Sequence, residues 1–160
     1  MDCTSADLMN PPELIQLAKE VNLESEEQFK LRIAFGVACC EHVEHLLTDS
    51  SMIEFLAIGK GFVSGEYNEI DLGEAATMAS KVARSHPGSS SLDGAGSAAV
   101  TTSLAVAAAL TGRALDTAGY AAYASVYSYA SYAVTDLTAY AEVHAWQINK
   151  LHELVKSQGK

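Results

Sequence analysis

The sequence predicts an all-α fold: a compact single-domain bundle or array of about seven helices, Ala-rich in its second half. Apolar residues recur at helical spacing in segment after segment, while no stretch alternates apolar and polar residues as a half-buried strand does. Each periodic segment is bounded by capping residues, glycine or proline. At 160 residues, 49% hydrophobic and 19% charged, the chain has the size and composition of one self-sufficient globule, 1–160.

The first helix opens at Asn10-Pro11-Pro12-Glu13, an N-cap followed by prolines in the first turn, and buries Leu14, Leu17, Ala18 and Val21. Ser25-Glu26-Glu27-Gln28 has the form of a capping box. It predicts a long second helix whose apolar face runs through Phe29, Ile33, Val37, Cys40 and Val43 to about Leu47. Ser50 or Ser51 caps a third helix through Met52, Ile53, Leu56 and Phe62, which ends near Gly65 although Gly59 and Gly61 weaken it. A second box, Asp71-Leu72-Gly73-Glu74, opens the fourth helix, and His86-Pro87-Gly88 closes it because the residue before proline avoids helical geometry.

A flexible loop is expected at Ser89-Ser90-Ser91, followed by helices over about 93–112, 114–133 and 136–157, with Gly112 at the first break and Thr135 as a cap at the second. The uncharged run from Gly94 to Gly112 is built of Ala, Ser, Thr and Gly, too weakly apolar for a membrane span, and reads as a buried helix. From Ala95 to Ala145 small side chains let helix axes approach closely. Tyr120, Tyr123 and Tyr127 fall on one helical stripe, for which a core role is expected.

The net charge of -10 is uneven: residues 1–80 hold fifteen acids and four bases, whereas 81–160 are close to neutral. That field disfavours nucleic acid and anionic lipid as partners and favours fast association with a basic protein. The first residues, Met1-Asp2-Cys3-Thr4-Ser5-Ala6-Asp7, have neither a basic nor an apolar targeting segment, so a cytoplasmic address is expected. Cys39 and Cys40 diverge by roughly 100° around a helix of about 3.6 residues per turn and, with Cys3, are read as reduced thiols.

Chemical motifs are sparse. Cys39-Cys40-Glu41-His42-Val43-Glu44-His45 places Glu41, His42 and His45 near one another, which suggests a metal-binding protein or enzyme as an alternative. Helical zinc and di-iron sites need His pairs four apart or Glu-x-x-His, and the segment has His-x-x-His and Glu-x-x-Glu instead. Phosphate loops, nucleophile elbows and Cys-x-x-Cys pairs are missing, so neither catalysis nor a cofactor is expected. A further alternative is a helical adaptor docking through the tyrosine stripe.

Cys39-Cys40-Glu41-His42-Val43, Gly65-Glu66 followed by Leu72-Gly73-Glu74-Ala75, the Ala-rich middle and Ala145-Trp146-Gln147-Ile148-Asn149-Lys150-Leu151 together resemble the immunity-five-like helical proteins found beside toxin genes in bacterial polymorphic-toxin systems. The chain departs from that pattern at His42, where an arginine is expected, and in the Ala-rich region, where tyrosines stand at positions often held by histidine. The resemblance implies an immunity protein that neutralises a cognate antibacterial toxin by covering its active site or substrate-binding surface. A nuclease-type toxin with a basic groove suits the acidic charge. Glu66, Glu69, Asp71 and Glu74 are the expected toxin contacts, although Asp71 and Glu74 also suit the start of a helix. Trp146 is expected to anchor the last helix to the core.

Overall fold

The computed structural model describes residues 10–85, 94–129 and 137–158. Among these, seven α-helices follow one another: α1 (Pro12–Glu20), α2 (Phe29–His42), α3 (Ser50–Ser64), α4 (Glu69–Ser85), α5 (Gly94–Leu110), α6 (Ala114–Tyr129) and α7 (Ala141–Gln158). Short 3-10 turns lie at Glu26–Gln28, Glu44–Leu46 and Leu137–Tyr140, and no strand occurs among the described residues. The expected all-helical architecture is therefore present. His86-Pro87-Gly88, Ser89–Ser91 and Thr135 lie outside the described residues.

Two helices organise the interior. The uncharged α5 packs against α2, α3, α4 and α6, and from Ala98 to Leu110 all of it but Leu104 is buried. A helix apolar on every side finds a stable place only inside, and Thr102 satisfies its buried hydroxyl by donating to the Ala98 carbonyl at 2.7 Å. Among the described residues no helix is long and apolar enough to cross a membrane. The second organiser, α2, is shared by two core clusters. Ile33, Val37 and Cys40 join residues of α3, α4 and α5. Leu31, Phe35 and Cys39 join α1, α6 and Leu151 of α7.

Small residues set the spacing. A Cβ added at Gly36 of α2 would stand 3.0 Å from the Cβ and 3.1 Å from the Cα of Ala109 on α5. One at Gly59 of α3 would stand 2.7 Å from a Leu110 methyl. Gly59 thus sits in a helix it weakens because tertiary contact at that level excludes a side chain.

Helix boundaries correct the sequence reading at several caps. Pro11, not Asn10, precedes α1, and the Asn10 amide instead donates to the Leu115 carbonyl at 2.9 Å. The Ser25 side chain makes no cap hydrogen bond. Gln28 turns back to the Val21 carbonyl at 3.0 Å and Arg32 to the Leu23 carbonyl at 2.7 Å, so a 3-10 turn precedes α2. The expected long second helix ends at His42: Val43 leaves helical geometry and its N–H bonds Cys40, three residues back, at 3.1 Å. The chain then tightens into the turn at Glu44–Leu46 while still burying Val43 and Leu47. Asp49, one residue before the expected serines, caps α3 by accepting from the Ser51 N–H at 2.8 Å.

Candidate functional site

The four acidic residues singled out from the sequence surround the α3–α4 connection. Helix α3 ends at Gly65, whose φ of 93° is the left-handed conformation that glycine adopts without strain. The Gly61 carbonyl accepts from Glu66 N–H at 2.7 Å and from Tyr67 N–H at 3.3 Å, closing the turn. Asn68 and Asp71 then form a reciprocal capping box. The Asp71 N–H donates to Asn68 Oδ1 at 2.9 Å, and the Asn68 N–H donates to the Asp71 carboxylate at 3.2 Å. Helix α4 accordingly begins at Glu69, two residues before the expected Asp71 start, and Asp71 supplies the third helical position of the box.

This backbone fixes what the surface presents. Glu66, Glu69 and Glu74 are exposed and Asp71 is half-buried. None of the four forms an ion pair among the described residues. Asp71 has a structural task in the cap, and Glu66 accepts a long bond from Ser64 Oγ at 3.4 Å. Between the acids stand two apolar side chains, Tyr67 at 43% and Ile70 at 72% exposure. At about 100° per residue, Ile70 points opposite the buried stripe of Leu72, Ala75, Ala76, Ala79 and Ala83. Tyr67 lies against Gly61, where an added Cβ would come within 2.3 Å of the ring. Sequence reasoning missed both: Ile70 could have been found as the apolar residue off the stripe, whereas the Tyr67 position depends on a contact with no local signature.

The alternative cluster is divided between two tasks. Lys60 pairs with Glu44 at 2.9 Å and with Glu41 at 3.7 Å, and its hydrogen bond to Glu44 raises the ammonium pKa above its ordinary value. His42 stacks on Trp146 with ring centroids 4.2 Å apart, and burial followed by the charge of His45 lowers its pKa. Among the described residues no three His, Cys, Asp or Glu side chains gather where a metal ion could be held. A cavity of about 350 Å³ beside the stack is lined by His42, Ser125, Ala139, Glu142, Val143 and Trp146.

Trp146 also packs on the α1–α2–α6–α7 core, with the Lys150 ammonium 5.8 Å from its ring centroid. Gln147, fully buried beside it, donates to the Ala118 carbonyl at 3.0 Å and ties α7 to α6. Tyr120, Tyr123 and Tyr127 are each half-buried, Tyr120 against the α2–α5 core and Tyr123 stacked on Tyr127 at 5.6 Å. Cys39 and Cys40 are free and fully buried, and burial pushes both thiols far above their ordinary pKa, which leaves them unreactive. In comparisons with family models, with curated proteins and with solved structures, nothing matches the chain.

Proposed function

We propose that this chain is an immunity protein that binds a cognate antibacterial protein toxin, of nuclease type, and neutralises it by occluding its active site or substrate-binding surface. The observation that carries this reading is the α3–α4 connection, where exposed Glu66, Glu69 and Glu74, without an ion pair among the described residues, flank exposed Tyr67 and Ile70 on a turn held by its own backbone bonds. An apolar centre with a charged rim is the usual anatomy of a protein interface, and rim charges of one sign select a partner of the other. Resemblance to the immunity-five-like proteins agrees with that chemistry. Inhibition by occlusion needs no catalytic group or cofactor, and the inhibitor acts in the cytoplasm of the cell that makes the toxin.

A bacterial growth assay tests it. A candidate toxin domain taken from the neighbouring genes is expressed alone, with the wild-type chain, and with Glu66→Lys/Glu69→Lys/Glu74→Lys. Asp71 is left intact because its carboxylate caps α4. The wild type restores growth and the folded triple variant does not. Failure of soluble wild-type chain to restore growth would remove the immunity reading for that toxin.

A further inference from the structure

We propose that Tyr67 and Ile70 are the apolar anchors of the interface, and that they fit a recess on the partner's surface rimmed by lysine and arginine. This goes beyond the immunity reading, on which it rests, by naming what holds the complex together once the charges have brought it together. Ile70 is 72% exposed and points away from the stripe that binds α4 to the core. Ile70 and Tyr67 place two exposed apolar side chains within four residues, between Glu66 and Glu74, and this grouping, not exposure alone, which Ile53 at 40% and Met78 at 46% share, marks the turn. Tyr67 is different, because the bare surface of Gly61 receives one side of its ring while 43% of the residue stays exposed. The ring is thereby held before binding, and an anchor already held loses little conformational freedom in the complex.

Charge fixes the partner's chemistry. Glu66, Glu69 and Glu74 flank the two anchors in the chain and form no ion pair among the described residues, so an acidic or merely apolar partner leaves the rim uncompensated. The first bases on the same helix, Lys81 and Arg84, stand near its far end, about 16 Å or more from Ile70 at about 1.5 Å per residue. They oppose a basic partner there, which confines docking to the α3–α4 turn and the first half of α4.

The experiment measures association and dissociation rates on an immobilised, catalytically inactivated toxin domain, the candidate used in the growth assay. Ile70→Ser and Tyr67→Ala are expected to speed dissociation by about tenfold or more while changing association by less than about twofold. Gly61→Ala, which displaces the Tyr67 ring without altering any charge, does the same to a smaller extent. Glu66→Gln/Glu69→Gln/Glu74→Gln instead slows association by about tenfold at low salt. Because Tyr67 and Gly61 touch α3, circular dichroism confirms that their variants fold, and Ile70→Ser, with its exposed site, carries the test if they do not. Wild-type dissociation from Ile70→Ser, with the wild-type chain binding and protecting, overturns the anchors and leaves the immunity reading standing. No binding by the wild-type chain overturns both.

Discussion

At the end of α2, His42 lies 4.2 Å from the Trp146 ring and shares its neighbourhood with His45. Contact with the indole strips water from the imidazole, and a second histidine close by opposes a further positive charge, so the pKa lies below its ordinary value. The consequence for stability has a definite sign. As pH falls through the ordinary histidine pKa of about 6.5, the unfolded chain takes up the proton before the folded one does. The contribution is therefore present above that pKa and is lost as pH falls towards the lower, folded value. We expect His42→Gln to lose less stability than the wild type between about pH 7.5 and about pH 5.5, read as the shift in urea midpoint. Imidazole NMR provides the direct check: the His42 midpoint should lie below the ordinary value and rise in Trp146→Ala. An ordinary midpoint in the wild-type chain would mean that the stack leaves the ring fully hydrated.

Among the helices, glycine has opposite meanings in different settings. Gly36 admits α5 so closely that a Cβ would be 3.1 Å from the Ala109 backbone, while at Gly73 of α4 an added Cβ meets nothing within 4 Å. Gly36→Val should destabilise the chain by about 1–3 kcal/mol through overpacking against backbone that has nowhere to move. Gly73→Ala should stabilise it by about 0.5–1 kcal/mol, because an exposed helical glycine only costs conformational entropy. Urea denaturation of the two variants checks both signs, and equal midpoints would show that the α2–α5 spacing adapts. Composition alone cannot separate these positions. The helices themselves were legible, since apolar spacing records which face must be buried, but their ends were not. The Asn68–Asp71 and Asp71–Glu74 pairs both suit a cap, and the choice is made by the turn that Gly61, Gly65, Glu66 and Tyr67 build before them. Likewise Val43 and Leu47 keep helical spacing although the chain between them runs through a 3-10 turn, because tight turns bury residues at nearly the same interval.

On the scale of the whole molecule, charge was the legible part of the candidate site and shape was not. Glu66, Glu69, Asp71 and Glu74 could be named because they cluster around a loop and a helix start within the acidic half, where fifteen acids stand against four bases. Tyr67 and Ile70 were not singled out: Ile70 shows only as an apolar residue off the α4 stripe, and the Tyr67 position depends on its contact with Gly61. The same asymmetry separates two ways in which the acids could act. Glu13, Glu24, Glu26 and Glu27 are also exposed, but they lie on and after α1, which packs on α7 and not in the α3–α4 turn. Exposed charges act over about 30 Å at 0.01 M salt and about 8 Å at 0.15 M. If the distant acids only enlarge the field that draws a basic toxin in, replacing all four with glutamine slows association near 0.01 M salt and has no effect near about 0.15 M. Replacing Glu66, Glu69 and Glu74 slows it at both, because contact pairs stay within the screening length. Measured on the same inactivated toxin domain, an equal loss at both salts from the α1 set would move the interface to the surface around α1. A loss confined to low salt leaves it at the α3–α4 turn, with the rest of the acidic half serving the encounter.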